Sequence, residues 1–110
     1  MKDDVKLMAE VFKVLGDTTR LRIIRMLASN PGSTLCVADL ADRLGMTQPA
    51  VSQHIKALKQ VGLLEPDKQG FRVYYYIDTD ILSSYKEKID EMFELAFTKC
   101  SRIGNCNGHG

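Results

Sequence analysis

The hydrophobic period of this chain changes at Gly62 and changes back at Asp78. Outside that stretch apolar residues recur at three- and four-residue steps, the mark of helices buried on one face. Inside it Val73, Tyr75 and Ile77 alternate with Arg72, Tyr74 and Tyr76, the mark of a half-buried strand. Leu63-Leu64-Glu65 can pair with that strand across a tip at Asp67-Lys68-Gln69-Gly70. One hairpin is too little sheet to stand alone, so it must lie against the helices. With 110 residues the chain has room for one modest core. The expected fold is mainly α with a small β-hairpin, in the order α-α-α-α-β-β-α.

The helices are set by their punctuation. Leu7, Val11, Val14 and Leu15 define a first helix over residues 5 to 15, ended by Gly16. Asp17 caps a second through about Ala28, which is expected to turn Leu21, Ile24, Leu27 and Ala28 inward and Arg20, Arg22 and Arg25 outward. After a loop at Asn30-Pro31-Gly32-Ser33, Val37, Leu40, Ala41 and Leu44 mark a two-turn third helix stopped by Gly45. Thr47 caps a fourth helix to about Val61, with Pro49 in the first turn, where its missing N–H costs nothing. Asp78 and Thr79 open a last helix to about Thr98, roughly 30 Å long. Its Ile81, Leu82, Tyr85, Ile89, Met92, Phe93, Ala96 and Phe97 offer more apolar surface than so small a core absorbs, so self-association is expected. Residues 1–99 form one domain on this reading, and 100–110, polar and holding three Gly, a mobile tail with Cys100, Cys106 and His109.

A short helix, the turn Leu44-Gly45-Met46-Thr47, a polar-faced helix and a basic hairpin, in that order, make the winged form of helix-turn-helix. At about 100° per residue Val51, Ile55 and Leu58 share one side of the fourth helix, and Pro49, Ser52, Gln53, Lys56 and Gln60 the other. Thr47 and Pro49 form the entry of that face. Gln48, Ser52 and Gln53 carry donors and acceptors suited to base edges, and Lys56 and Lys59 suit phosphate. Lys68 and Arg72 on the wing reach the neighbouring backbone or the minor groove. His54 flanks Val51 and Leu58 and reads as packed or DNA-adjacent, and Tyr75 as inward on its strand. Charge agrees: residues 43 to 76 hold five Lys or Arg against two acids, whereas 78 to 98 hold six acids against two Lys.

Other classes fit less well. The chain has no glycine-rich phosphate loop and no nucleophile, base and orienting group together outside the thiols, so an enzyme is not expected. A winged helix that binds protein is the competing reading, against which the amide-bearing face and Arg72 argue. No stretch approaches the roughly 20 apolar residues of a membrane span, and Met1-Lys2-Asp3-Asp4 does not open a secretory signal. A cytoplasmic protein without membrane contact is expected, in which three Cys are thiols rather than a disulfide framework.

Three thiols can hold arsenite or antimonite, and Cys with His can hold zinc or cadmium. Cys100 and Cys106 are candidate ligands, with Cys36 or His109 as the third. Accessible thiols could instead form a disulfide or persulfide.

Several segments resemble the ArsR/SmtB metal- and metalloid-sensing repressors: Gly16-Asp17-Thr18-Thr19-Arg20-Leu21-Arg22-Ile23, Leu35-Cys36-Val37-Ala38-Asp39-Leu40-Ala41, Gln48-Pro49-Ala50-Val51-Ser52-Gln53-His54-Ile55-Lys56-Ala57-Leu58 and Gly70-Phe71-Arg72-Val73-Tyr74-Tyr75-Tyr76. The resemblance spans about residues 5 to 98 and leaves the tail outside. It implies a homodimer built through the first and last helices, here Leu7, Val11, Tyr85, Ile89, Met92, Phe93 and Phe97. It also implies binding to operators and release by an inducer; two outward-facing helices of a symmetric dimer call for an inverted repeat, and no cofactor is expected for DNA binding. The arsenic and the cadmium or lead sensors resembled carry two Cys separated by one residue on the third helix. This chain has Cys36 but Ala38. The zinc site of the family uses Asp and His on the last helices, and residues 78 to 98 contain no His. Relatives with thiols near the end of the last helix are the better match. The expected inducer is arsenite or antimonite, ahead of a redox or reactive-sulfur signal and then of cadmium, lead or zinc.

Overall fold

The structure, a computed structural model, describes residues 4–29 and 35–103, with side chains as far as Thr98. Its elements are α1 (Asp4–Leu15), α2 (Thr18–Ala28), β1 (Leu35–Cys36), α3 (Val37–Leu44), α4 (Gln48–Gln60), β2 (Leu64–Gln69), β3 (Arg72–Ile77) and α5 (Thr79–Ile103). Ile23 and Leu27 of α2, Leu40 and Ala41 of α3, and Val51, Ile55 and Leu58 of α4 are buried together with Leu35, Leu63 and Leu64. Tyr75 and Ile77 close this core from the sheet and Ile81 and Tyr85 from α5.

The caps fall where the polar residues put them. Asp17 accepts from the Arg20 N–H at 3.1 Å, Thr47 Oγ1 from the Ala50 N–H at 3.3 Å, and Asp78 Oδ1 from the N–H groups of Asp80 and Ile81 at 3.1 and 3.2 Å. Gly45 ends α3 at φ 66°, a conformation that costs a residue with a Cβ about 1 kcal/mol or more.

Four features depart from the sequence reading. The sheet has three strands in the order β1-β3-β2, since Leu35 pairs with Tyr75 and Cys36 with Tyr74. Two residues are too few to show a period, and β1 exists because β3 has an edge to offer. The hairpin is also longer than expected: β2 pairs with β3 from Leu64↔Ile77 to Gln69↔Arg72, which moves the tip to Gly70 and Phe71. On α2 the buried stripe is rotated, with Ile23 fully buried and Leu21 half exposed; Ala28 is exposed and Arg20 is drawn partly inside. Arg20-Ile23-Ile24-Leu27 is a helical face as good as the one built on Leu21, and a hydrophobic pattern ranks an arginine last. Finally, α5 continues to Ile103, so Cys100 lies on the helix rather than beyond it.

The molecule measures 59 × 29 × 24 Å. α5 packs on α1, where Lys88 Nζ meets Asp4 at 3.9 Å. Residues 91 to 98 are all exposed, among them Phe93 at 55% and Phe97 at 73%.

Candidate nucleic-acid interface

The turn between α3 and α4 is tightly closed. The Gly45 N–H donates to Asp42 O at 3.3 Å and the Met46 N–H to Ala41 O at 3.0 Å. α4 buries Val51, Ile55 and Leu58. The positions opposite, Thr47, Gln48, Pro49, Ser52, Gln53, Lys56 and Lys59, are all exposed on its outer side, as are Lys68 and Arg72 on the wing. Helix and wing meet in a cleft of about 310 Å³ lined by Val37, Ser52, Ile55, Lys56, Lys59 and Tyr75. The Lys59 ammonium sits over the Tyr75 ring at 5.9 Å from its centre, an attraction that ties the last turn of α4 to the wing. The described protein thus offers amides, hydroxyls and lysines on a helix surface beside a hairpin that exposes Lys68 and Arg72 near its tip, which suits a duplex.

Two polar contacts fix how α4 is mounted. Arg20 Nε donates to His54 Nδ1 at 3.2 Å, and Arg20 Nη1 donates to the Val14 carbonyl at 3.2 Å, so one guanidinium joins the end of α1, α2 and the middle of α4. Asp17 lies beside the same ring, with Oδ1 3.9 Å from Nδ1. The Arg20 backbone N–H holds the Asp17 carboxyl below its usual range against the opposing effect of burial, with the Thr19 N–H and the Arg20 charge adding to it. His54 is therefore a partly buried mounting residue. At the other end of α4 the Tyr85 O–H donates to the Val61 carbonyl, the helix C-cap. Burial pushes the Tyr85 phenol above its usual range and keeps it a donor.

Of the candidate ligands, Cys36 is the one whose side chain is described. Cys36 is buried, and its Sγ donates to Asp39 Oδ2 at 3.2 Å while its N–H donates to the same oxygen at 3.3 Å. The thiol contact, then the N–H, hold the Asp39 carboxyl below its usual range, with Arg43 and Arg72 adding their charge. Cys100 is placed on α5 by its backbone, and Cys106 and His109 lie outside the described residues. Among the described residues there is no group of three or more His, Cys, Asp or Glu able to hold a metal ion. Of the residues assigned to a dimer face, Val11 is fully buried within the protomer and unavailable to a second copy. Leu7, Tyr85 and Ile89 are partly buried, and Met92, Phe93 and Phe97 are exposed. The sequence reading missed Arg20 and Tyr85 as mounting residues and Phe71 as the wing tip; only the strand register, which fixes the turn, could have singled out Phe71.

Residues 17–65 match the family described as bacterial regulatory protein, arsR family. The arsenical resistance operon repressor of Escherichia coli K12 is 37% identical over 105 residues, which cover 90% of this chain and 88% of that one. The chain belongs to the arsR family. An ArsR-like transcriptional regulator from Rhodococcus sp. RHA1 superposes with a TM-score of 0.78 at 25% identity, covering 92% of each chain. The homodimeric winged helix-turn-helix DNA-binding domain Mb0332 from Mycobacterium bovis does so at 0.63 and 29% identity, covering 86% of this chain and 90% of that one. This arsR-family chain is a DNA-binding transcriptional repressor of the winged helix-turn-helix class, and not an enzyme. Among its described residues no helix is long and apolar enough to cross a membrane.

Proposed function

We propose that the protein is a homodimeric repressor, acting in the cytoplasm, that binds an inverted-repeat operator and leaves it when arsenite or antimonite is taken up by thiols at the end of α5. Likeness to an arsenical resistance operon repressor and to a homodimeric DNA-binding domain supports the two halves of this reading. The observation that carries it is the Tyr85 contact with Val61: the helix that bears Cys100 is hydrogen-bonded to the cap of the helix that faces DNA. The exposed Met92, Phe93 and Phe97 meet their counterparts in a second copy, so α5 is both dimer helix and lever. Two α4 helices then address half-sites about 34 to 36 Å apart, or a multiple of that.

Thiols must lose their protons to hold a soft ion. The Cys36 S–H donates a hydrogen bond to Asp39 at the start of α3, and recruiting Cys36 would sacrifice that contact. Cys100 and Cys106 are the primary ligands, with the third drawn from His109 or Cys36. Moving the dimer from 1% to 99% released requires about 5.5 kcal/mol of differential affinity, a load suited to several thiolate bonds.

The test is anaerobic titration of the reduced protein with arsenite, followed by operator anisotropy and by mass. Cys100→Ser and Cys106→Ser should each bind operator as the parent does and fail to release it. Cys36→Ser and His109→Ala identify the third ligand by which of them loses release. Release by an oxidant or polysulfide in metal-free buffer, with a mass showing linked thiols, would replace arsenite by a redox signal. Unchanged release in the double Cys100→Ser, Cys106→Ser variant would end both readings.

A further inference from the structure

The tip of the wing presents an aromatic ring for which the fold has no use. Pairing of β2 with β3 runs to Gln69 and Arg72 and leaves Gly70 and Phe71 as a two-residue turn. The turn's conformational demand falls on its first residue, Gly70, at φ 65°. It makes no demand for an apolar second residue. Phe71 is nonetheless fully exposed, at 107%, whereas the next most exposed large apolar side chains reach 73%. A lone exposed apolar side chain is ordinary, so exposure alone carries nothing. Position does: Phe71 adjoins exposed Arg72 and follows exposed Lys68 by three residues, at the end of two paired six-residue strands. The acid nearest to it in the chain, Asp67, is engaged by the Gln69 amide at 2.9 Å, and the Asp39 carboxyl, which feels the Arg72 charge, is held by the Cys36 thiol and N–H. The wing belongs to the same surface as α4, joined to it through Lys59 and Tyr75. An aromatic side chain flanked by cations on a stiff projection beside a recognition helix has the composition of a minor-groove wedge.

We propose that Phe71 enters the DNA minor groove beside the half-site read by α4 and partly unstacks one base step there, with Lys68 and Arg72 against the flanking phosphates. The inference rests on the DNA-binding reading above and adds a specificity that needs no base hydrogen bond. Steps that unstack easily, TA and CA/TG, are preferred where the ring lands. Unstacking kinks the duplex toward the major groove and lets the rest of the interface close.

The experiment uses the full chain and a duplex that it selects from a random-sequence pool. 2-Aminopurine is placed at successive steps outside each half-site, and affinity is measured across a salt series. The parent should enrich pyrimidine–purine steps at one flanking position and raise 2-aminopurine fluorescence there. Phe71→Ala should abolish that rise and lower affinity about tenfold with the salt slope unchanged, since no phosphate contact is lost. Phe71→Leu should keep part of both effects, and both variants should melt with the parent because the ring is fully exposed. Arg72→Ala should do the reverse, lowering the slope by about one and sparing the fluorescence. A parent that binds its selected duplex with no fluorescent step, or a Phe71→Ala variant that binds equally well, overturns the wedge and leaves the DNA-binding reading intact. A parent that selects no duplex at all refutes that reading itself. Loss of self-association by Phe71→Ala without DNA would assign the ring to a protein contact instead, and also overturns the proposal.

Discussion

Replacing Arg20 by Met tests how α4 is held. The substitution keeps an unbranched apolar stem and removes the guanidinium, and with it the donors to His54 Nδ1 and to the Val14 carbonyl, both at 3.2 Å. Hydrogen bonds from charged donors contribute about 1.5 to 3 kcal/mol when well buried. Both contacts here are only partly buried, so about 1 kcal/mol each is the discounted figure. The sum, about 2 kcal/mol, corresponds to a fall in Tm of about 10 °C for a domain of this size. Thermal and urea unfolding measure that loss. A double-mutant cycle with His54→Leu isolates the Arg20–His54 part, expected at about 1 kcal/mol. Operator affinity well below Tm should fall several-fold with the salt slope unchanged, because Arg20 positions α4 and touches no phosphate. Additive losses in the cycle would show that the bond does not hold α4. A salt slope reduced by about one would show that Arg20 contacts DNA directly, and would refute the mounting role.

Three further outcomes follow from the geometry. Gln53→Ala should relax base preference by about 1 to 3 kcal/mol, and equal weakening on selected and random duplexes would mean the face is wrongly assigned. Asp39 has a folded pKa held below the usual 3.8, so its stabilisation is complete above that value and drains as pH falls through the lowered one. Asp39→Asn should therefore melt below the parent at pH 7, with the gap closing as pH drops past 3.8, and a gap that stays constant under acid would contradict the Cys36 contact as its cause. Tyr85→Phe leaves the Val61 carbonyl without its donor and should cost about 1 kcal/mol of stability. In the same variant arsenite should still bind, by mass, while releasing less operator, and full release would show that α5 acts on α4 by another route.

The exposed face of α4 was legible in the sequence because a helix fixes its faces arithmetically. Once Val51, Ile55 and Leu58 are inside, Ser52, Gln53 and Lys56 have no choice but to be outside. Caps were legible for a similar reason, since Asp17, Thr47 and Asp78 each supply an acceptor where free N–H groups need one. Arg20 was not, because a charged side chain is assigned outward until its acceptors are known, and these are a carbonyl on α1 and a ring on α4 that only the tertiary fold assembles. β1 was hidden by its length, and the wing tip by register, which depends on pairing across the sheet. The end of α5 escaped because the apolar pattern stops at Phe97 while the backbone has no reason to: Thr98 to Ile103 contain neither Gly nor Pro.

How α4 is mounted constrains how any signal can move it. Its middle is pinned through His54 to Arg20 on α2, and its C-cap through Val61 to Tyr85 on α5, while Lys59 leans on the wing at Tyr75. The apolar stripe of Val51, Ile55 and Leu58 between these points is shared with α2, α3 and the sheet and resists sliding, because a close-packed core has few alternative arrangements. A displacement beginning in α5 therefore reaches α4 at one end, with His54 held as the pivot. The motion open to the helix is a tilt. In the proposed two-fold dimer a tilt would change the angle and separation of both α4 helices at once, so a small shift at Tyr85 would be doubled at the operator. The wing is tied to the same last turn through Lys59, so the proposed mechanism has it carried along, and the major- and minor-groove contacts proposed above are expected to be lost together rather than in sequence.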